Sequence, residues 1–469
     1  MNTDAIIEAM CNEIKQNLSE FCEQEDFEIL TPEAAERMSE GMGHALAAGG
    51  VAGFRDFLLQ YEQEGGTLEH EGQLMRHKTM SPKRFMIPFG EMVLPRKIYQ
   101  ADRGGASFVP LDAAWGMQGQ FAAVEVREAV LYSCGLVTPT ETETMLDKCA
   151  LFHLSSTAIK NIVNEAGELI EAHADDVRTH VHLEERAPED VQVLAASLDG
   201  ANVLLWERGV KRGRPAERPG KQQDKEQPTA YKNAMVGSVS FYGPAPEGHK
   251  RPARLQSRYI ARMPEARAPT FKEHFEAEVA HAEIQVGEEA AKVLVLDGAR
   301  GLWKYVEGRD CFSGYEKIVD FFHATEHLSA AAEALFGKQS PQAQRWYKKY
   351  RAKLRDEDLA PQAILRSIDY YIETLRLSKS RREDTLSQRT FFAHNKHRMT
   401  YADFRRRGLP IGSGVVEAAC KSLVKARLCR SGMRWTRKGG QHILHLRAHI
   451  KSGRWDSFWD AYKQLARAG

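Results

Sequence analysis

The sequence predicts an α/β protein in which a mixed sheet follows a mainly helical region, and three observations support this. Apolar runs of strand length occur in the centre of the chain, and two of them end in Asp-Gly, at residues 191–200 and 292–298. Apolar residues at helical spacing dominate residues 1–75 and 111–185. A polar helical block, residues 324–408, then precedes a basic C-terminal helix.

Length and composition favour a multidomain protein of the cytoplasm. At 469 residues, the chain is too long for one compact core, and about three domains are expected. No apolar run reaches the roughly 18 residues of a membrane span, and no export signal is visible at the N-terminus. None of the seven cysteines forms a Cys-x-x-Cys pair, which argues against a zinc ribbon or a disulfide framework and for a reducing compartment.

The N-terminal region is predicted to be helical, with one β-hairpin. Thr31-Pro32-Glu33 is a helix-start signal, and a strand-like pattern from Lys83 to Val109 surrounds a predicted turn at residues 103–105. Residues 1–71 carry sixteen acidic side chains against three basic ones. These charges indicate solvated helix faces or, alternatively, a segment that shields basic surfaces or mediates self-association.

The helical residues 111–185 resemble a helix-turn-helix motif. One helix is predicted to end near Phe152, and Ser155 or Ser156 is a suitable N-cap for the next. The exposed early positions of that second helix include Thr157 and Lys160. A DNA-reading helix and an ordinary packed helical hairpin account equally well for this pattern.

The central strands are predicted in six segments. In order, these are VQVLAASLDG, ANVLLW, NAMVGSVSFYG, SRYIARMP, KVLVLDG and YEKIVDFFH. Between the second and third lies a segment rich in Gly, Pro, Lys and Gln, residues 209–229, for which we expect a mobile loop with enough positive charge to touch DNA.

Two aspartates and one glutamate are the candidate metal ligands. Asp199 and Asp297 each close a predicted strand, where side chains emerge from a sheet that is buried on both faces. Two neighbouring carboxylates need a cation between them, and Mg²⁺ prefers such oxygen ligands. Glu417 would add a third carboxylate from a helix whose other face, which includes Ala419 and Ala426, is predicted to be buried.

A basic tract follows Glu417. No Asp or Glu occurs between Glu417 and Asp456, whereas ten Lys or Arg residues do. We therefore expect phosphate contacts rather than a merely solvated face. The predicted contacts are Lys421, Lys425, Arg427, Arg430, Arg434, Arg437 and Lys438. Trp435 fits two roles equally well, stacking on an unpaired base or packing in the core.

His323 and His327 are spaced so that both imidazoles lie on one face of a helix. This spacing occurs in zinc sites, but neither an HExxH order nor a nearby cysteine supports zinc here. Apart from zinc binding, His323 could also be a histidine that packs in the core.

In its motifs, the chain resembles DDE transposases of bacterial insertion sequences, in the branch that shares features with the Mutator and hAT superfamilies. SLDG and LVLDG resemble the first and second catalytic strands, and residues 320–323 match a D-x-x-H signature. GSGVVEAACKSLVKARL, followed by SGMRW, resembles the block that bears the catalytic Glu. The likeness spans roughly residues 190–460.

The resemblance implies an RNase H-like catalytic domain with a helical insertion, in which the first and fourth strands lie side by side. It implies Asp199, Asp297 and Glu417 as ligands of two Mg²⁺ ions, for which Mn²⁺ substitutes, and His323 as an active-site residue. The expected partners are duplex DNA, as terminal inverted repeats and target, and further copies of the chain in a homo-oligomer. The expected location is the bacterial cytoplasm, at the nucleoid when DNA is bound.

The implied activity is cleavage at the ends of a mobile element, followed by joining of the 3′-hydroxyls to target DNA. Two alternatives stay open, a nuclease without joining activity and a domesticated DNA-binding regulator. The predicted segments are a helical N-terminal region with a hairpin at 1–112, a helix-turn-helix-like region at 113–188, the first part of the catalytic core at 189–328, the helical insertion at 329–408 and the completion of the core at 409–469.

Overall fold

A computed structural model describes residues 1–25, 27, 29–101, 105–149, 152–206, 231–248 and 251–468. The chain divides into two compact units, Met1–Val177 with Asp456–Gly469, and Arg178–Trp455. The predicted α/β composition is confirmed. The basic loop predicted at 209–229 and part of the turn predicted at 103–105 lie outside the described residues. Within the described ranges, no helix is both long and apolar enough to cross a membrane.

The helices run through both units. In chain order they are α1 (Thr3–Gln24), α2 (Pro32–Leu59), α3 (Pro110–Ala114), α4 (Val124–Leu136), α5 (Pro139–Lys148), α6 (Ser156–Ala172), α7 (Ala174–Glu184), α8 (Pro269–Gln285), α9 (Arg300–Glu307), α10 (Phe321–Phe336), α11 (Pro341–Asp356), α12 (Ala360–Thr374), α13 (Lys379–Asn395), α14 (Tyr401–Arg406), α15 (Gly414–Ala419), α16 (Ala426–Leu428), α17 (Arg437–Ser452) and α18 (Trp455–Ala468). A π-helical segment, Cys420–Lys425, joins α15 to α16.

In the first unit, α1 and α2 form a closely packed pair. A Cβ atom at Gly41 would lie 2.3 Å from the ring of Phe21, so the absence of a side chain lets the two helices approach. Thr31 caps α2 by accepting a hydrogen bond from the backbone N–H of Ala34 at 3.1 Å. The predicted helix start is therefore confirmed.

The first unit also contains an antiparallel sheet in the order β1-β2-β3-β4. Its strands are β1 (Thr67–His70), β2 (Gln73–Ile87), β3 (Gly90–Ala101) and β4 (Ser107–Phe108). The predicted hairpin is confirmed in part, since β3 and β4, on either side of the predicted turn, pair antiparallel. Its first strand was predicted too long, because the chain already reverses between Ile87 and Gly90, which pair with each other. Gly90 has a φ of 123°, a conformation that permits this tight reversal and that other residues rarely adopt.

The second unit is built on a mixed sheet in the order β7-β6-β5-β8-β9. Its strands are β5 (Val193–Leu204), β6 (Tyr231–Gly243), β7 (Ala253–Arg262), β8 (Ala291–Leu296) and β9 (Glu316–Val319). The strands β5, β6 and β7 are antiparallel neighbours, whereas β8 is parallel to β5 and β9 is parallel to β8.

Two predicted strands, VQVLAASLDG and ANVLLW, are a single strand. β6 pairs with β5 without interruption from Val193 to Leu204, so the Asp199-Gly200 dipeptide lies inside β5 rather than closing it. The prediction that a strand ends at this dipeptide was wrong, because continuous pairing with a long neighbouring strand outweighs the local preference of Asp-Gly to end a strand.

Helices cover the sheet and its free edge. Phe271 and Phe275 of α8 are fully buried in the core of the second unit. Along β7, α17 accepts hydrogen bonds from the edge strand and its end: Ser452 Oγ from the Tyr259 N–H at 2.9 Å, and Gln441 Oε1 from the Met263 N–H at 2.8 Å. These contacts satisfy backbone groups that an open sheet edge would expose.

A buried ionic network fixes the residues after α17. The Arg454 guanidinium donates to Glu185 Oε1 at 2.7 Å and to Glu278 Oε2 at 2.9 Å. Arg258, which is wholly buried, lies 3.0 Å from Glu185, and His182 lies 3.2 Å from Glu278. Burial by itself would raise the pKa of Glu278, but Arg454 and then His182 hold it well below its ordinary value. The network therefore connects α7, α8, β7 and the end of α17 through charge.

Candidate active site

Two aspartates align on neighbouring parallel strands. β5 and β8 pair in register from Val193↔Ala291 to Ala196↔Leu294, and the same offset places Asp199 opposite Asp297. Asp297 directly follows β8, whereas Asp199 lies within β5. The expected adjacency of the first and fourth strands of this sheet is confirmed.

The environment of Asp297 disfavours its negative charge. Burial raises the pKa of the Asp297 carboxyl, the Ala299 N–H (2.9 Å from Oδ1) and His323 lower it, and the nearby charges of Asp199 and Asp320 raise it again. The net effect is a raised pKa. A cation bound beside these carboxylates would remove the repulsion and favour the charged form.

The backbone after Asp297 is fixed by packing. A Cβ atom at Gly298 would lie 2.2 Å from the Phe391 ring. The glycine after Asp297 therefore allows α13 to pack closely against the end of β8. Trp303, which is buried, donates its indole N–H to the Asp297 carbonyl oxygen at 2.8 Å. Trp303 is therefore a packing residue of the core.

Glu417 lies on α15, which packs against β5 and β6. Its side chain is exposed, and Oε1 accepts a hydrogen bond from Ser413 Oγ at 3.3 Å. One turn further, Cys420 Sγ donates to Asp199 Oδ2 at 3.7 Å. Burial, followed by the charge of Asp199, raises the pKa of the Cys420 thiol to about 12, with a smaller contribution from Glu417. Cys420 thus contacts Asp199 and is also affected by the charge of Glu417, a role that was not predicted from the sequence.

The three carboxylates suit a hard divalent cation in their chemistry, because all their donors are oxygens and two of them form a like-charged pair. They are not gathered into a finished site. Within the described ranges, no group of three or more His, Cys, Asp or Glu side chains could hold a metal ion. The charge of Asp199 acts on Asp297, whereas Glu417 accepts a hydrogen bond from Ser413.

Asp320 links the Glu417 segment to the start of α10. It is fully buried, and one oxygen caps α10 by accepting from the His323 N–H at 2.6 Å. The other oxygen accepts a hydrogen bond from the backbone N–H of Ser413, directly before α15. Residues 320–323 were predicted only as a D-x-x-H signature. The N-cap role of Asp320 was missed, although Asp is a common N-cap residue.

The two histidines of α10 differ in their surroundings. His323 is one-third exposed and contributes to the electrostatic environment of Asp297, which supports its place beside the carboxylates. His327 stacks on Phe391 at 3.6 Å and bonds Gln388 through Nδ1 at 2.6 Å. Burial lowers the pKa of His327, so it is the packed member of the pair.

The π-helical segment changes which side chains face the core. A π-helix places more residues in each turn than an α-helix, so the residues after it are rotated relative to a regular helix. Ala426, predicted to be buried, is exposed, while Arg427 is only 1% exposed. Arg447 donates to the Leu423 carbonyl oxygen within the segment at 2.7 Å. The prediction for Ala426 is therefore wrong.

The prediction that Arg427 contacts a phosphate is also wrong, because its side chain is buried and a phosphate cannot reach it in this conformation. Its guanidinium lies 5.2 Å from the centroid of the Trp435 ring. Trp435 is half-buried, and its indole N–H donates to the Leu428 carbonyl oxygen at 2.9 Å. The backbone of Trp435 bonds Leu204, the last residue of β5, and Trp206, which follows the strand. These contacts favour the packing role of Trp435 over base stacking.

The remaining predicted phosphate contacts lie on the surface. Exposed side chains are found at Lys421, Lys425, Arg430, Arg434, Arg437 and Lys438. Arg437 also donates to the Pro264 carbonyl oxygen.

Arg427→Ala is expected to destabilise the second unit by about 2 kcal/mol, because it removes a buried cation–π contact and leaves a cavity. Lys425→Ala, the matched control on the same segment, should change the free energy of unfolding by less than about 0.5 kcal/mol. Chemical denaturation of both variants measures the difference. Equal stability of the two would show that Arg427 has no structural role.

The helix-turn-helix-like segment of the first unit consists of α5 and α6. Ser155 caps α6 by accepting from the Ala158 N–H at 3.3 Å, which confirms one of the two predicted caps. The preceding helix ends at Lys148 rather than near Phe152. Thr157 and Lys160 are exposed, as a DNA-reading helix requires.

No protein-family model matches the chain, and no curated protein is significantly similar to it. The functional argument therefore depends on the motifs and on the geometry described above.

Proposed function

We propose that the chain is a DDE transposase with an RNase H-like catalytic domain, which cleaves DNA at the ends of an insertion sequence and joins the 3′-hydroxyls to target DNA. The observation that carries this proposal is that Asp199, within β5, and Asp297, directly after the parallel neighbour β8, lie close enough for their charges to interact. The helix of Glu417 packs on the first of those strands.

Three further features support the proposal. The sheet places its first and fourth strands side by side, as the resemblance implies. A block of helices, α10 to α14, separates β9 from the Glu417 helix. The D-x-x-H residues connect to the Glu417 segment, because Asp320 accepts hydrogen bonds from both His323 and Ser413.

In the proposed reaction, Asp199, Asp297 and Glu417 would hold Mg²⁺, as two ions. Bound Mg²⁺ supplies activation of the attacking water or hydroxyl and stabilisation of the leaving oxygen. His323, whose charge acts on Asp297, would be an active-site residue beside the scissile phosphate. Exposed Lys421 and Lys425 would hold backbone phosphates. One site can serve cleavage and joining, since only the nucleophile differs between them.

The proposed partners are inverted-repeat DNA, target DNA and a second copy of the chain, because both ends of an element must be cut together. The exposed α6 positions Thr157 and Lys160 are the candidates for reading the repeats. The acidic α1 and α2 are the candidates for self-association. The proposed setting is the bacterial cytoplasm, at the nucleoid.

The test uses oligonucleotides that carry imperfect inverted repeats found in the DNA flanking the gene. The full chain should cleave them at the repeat end in Mg²⁺ but not in EDTA, and should join pre-cut 3′-hydroxyl ends to a plasmid. Cleavage without joining would identify a nuclease instead. Specific binding without cleavage in Mg²⁺ or Mn²⁺ would identify a DNA-binding regulator and refute the proposal.

A further inference from the structure

Beside the Glu417 helix, the second unit has a groove of about 440 Å³ with a basic wall and an apolar floor. Its basic side chains are Arg251, Arg254, Arg351, Arg355 and Arg405. Its apolar lining includes Phe321, Phe322, Leu409, Pro410 and Ile411. These residues come from separate parts of the sequence that only the fold brings together.

The groove lies on the face of the sheet that carries Asp199. Val415, two residues before Glu417, lines it, as does Tyr242. In the pairing of β5 with β6, Asp199 is opposite Val236 and Val193 is opposite Tyr242. Residues an even number apart on a strand share a face, and paired residues point to the same side. Tyr242 and Asp199 therefore share one face.

The groove has an excess of positive charge. Arg355 and Arg405 share one carboxylate, Asp356, at 2.7 and 2.5 Å. Arg254 and Arg351 make no ion pair with any of the described residues, and the Arg351 guanidinium lies 5.7 Å from the centroid of the Phe321 ring. Cations this close together repel one another unless an anion joins them.

An aromatic ring is presented in the same groove. Phe322 is 50% exposed, although it neighbours the fully buried Asp320. A Cβ atom at Gly412 would lie 3.3 Å from the Phe322 ring, so the glycine gives this ring room beside the loop that leads to Glu417. A half-exposed ring in a groove that arginines also line offers a stacking platform near phosphate-binding groups.

We propose that this groove binds an unpaired strand of DNA next to the scissile phosphate, with Arg254 and Arg351 on its phosphates and Phe322 stacked on a base. The inference rests on the proposed function and adds a substrate feature to it. The positive charge of the groove favours a polyanion, and the exposed Phe322 ring favours a polyanion whose bases are accessible for stacking. A duplex keeps its bases stacked, and unstacking them costs free energy, so frayed or single-stranded ends should be preferred.

The test measures binding of a fluorescently labelled single-stranded oligonucleotide and of the matching duplex to the full chain in EDTA, where cleavage cannot contribute. Arg254→Ala/Arg351→Ala should weaken single-strand binding at least tenfold and reduce the slope of log affinity against log salt by about 1.4, for two lost contacts. Phe322→Ala should weaken it roughly tenfold. Both variants should bind duplex within about twofold of the wild type.

The matched control is Arg366→Ala/Arg376→Ala, which removes two exposed arginines outside the groove lining. If the groove variant binds single-stranded DNA as this control does, the inference is wrong, and equal losses for duplex would refute the preference for an unpaired strand. Thermal melting checks folding, and the single variant Arg254→Gln, at an exposed position, replaces the double variant if that one unfolds. If the wild type cleaves DNA but the groove variants bind single-stranded DNA as well as it does, only the groove inference is refuted. If the groove variants selectively lose single-strand binding but the wild type does not cleave DNA, only the transposase proposal is refuted.

Discussion

Asp199→Asn, Asp297→Asn and Glu417→Gln are each expected to lower metal-dependent DNA cleavage by roughly a thousandfold or more. Bound divalent ions supply several kcal/mol of transition-state stabilisation, and each 1.4 kcal/mol corresponds to about a tenfold change in rate. The measurement is cleavage of repeat-end oligonucleotides in Mg²⁺ and in Mn²⁺. Glu289→Gln is the matched control, because Glu289 is an exposed carboxylate just before the other end of β8.

The same substitutions should leave the fold intact, and one of them should strengthen it. The pKa of Asp297 is raised, first by burial, so its charged form is less favourable in the folded protein than in the unfolded chain. Stability is therefore lost as the pH rises from the unfolded pKa through the raised folded pKa, and Asp297→Asn removes that loss. In EDTA at neutral pH, its melting temperature should equal or exceed that of the wild type.

Metal binding can be measured without activity. Mg²⁺ or Mn²⁺ should raise the melting temperature of the wild type and of Glu289→Gln, because a ligand that binds only the folded state stabilises it. The increase should be absent in Asp199→Asn and Asp297→Asn and reduced in Glu417→Gln. A variant with near wild-type cleavage and an unchanged metal effect would exclude its residue as a ligand.

The sequence was sufficient to predict the features of this site that depend on individual β-strands. Apolar runs identified β5 and β8, and Asp199 and Asp297 proved to align because the two strands are parallel neighbours. The end of β5 could not be predicted, since its continuation past Asp199 depends on pairing with β6, a strand more than thirty residues away in sequence.

Other features depend on contacts between distant segments. The burial of Arg427 follows from a π-helical segment that regular helical periodicity does not anticipate. Asp320 acquires its role by accepting a hydrogen bond from Ser413, which lies 93 residues further along the chain. Periodicity and local motifs carry no information on such pairings, so the connection between the D-x-x-H residues and the Glu417 helix emerges only from the fold.

Arg454→Met is expected to produce a large loss of stability in the second unit, about 3–5 kcal/mol in the free energy of unfolding. Arg454 is 8% exposed, and it donates to both Glu185 and Glu278. Without Arg454, the buried carboxylates of Glu185 and Glu278 would share one arginine of this network, Arg258. Methionine keeps much of the side-chain volume, so the loss should report charge rather than a cavity. Urea denaturation at neutral pH measures it.

The matched control is Arg406→Met, which also removes an arginine paired with two carboxylates. Arg406 lies 2.8 Å from Asp358 and 3.4 Å from Asp403, but its side chain is 58% exposed. Exposed ion pairs contribute about 0–1 kcal/mol because water and salt screen them. A loss for Arg454→Met no greater than that for Arg406→Met would contradict the structural role of the network.

The pH dependence of the Arg454 effect distinguishes charge from packing. In the wild type, the pKa of Glu278 is held well below its ordinary value of 4.5 by Arg454 and His182 against the effect of burial. Its contribution to stability is therefore present above the unfolded pKa and is lost as the pH falls through the folded one. Without Arg454, burial favours the neutral acid, so the variant should regain stability as the pH falls toward about 4.5, and the wild type should lose stability below that value. The difference in stability between variant and wild type should therefore narrow as the pH falls through this range. The double variant Arg454→Met/Glu278→Leu, which leaves Arg258 paired with Glu185, should recover part of the loss at neutral pH. A gap that is constant with pH, together with no recovery in the double variant, would mean that Arg454 acts through packing alone.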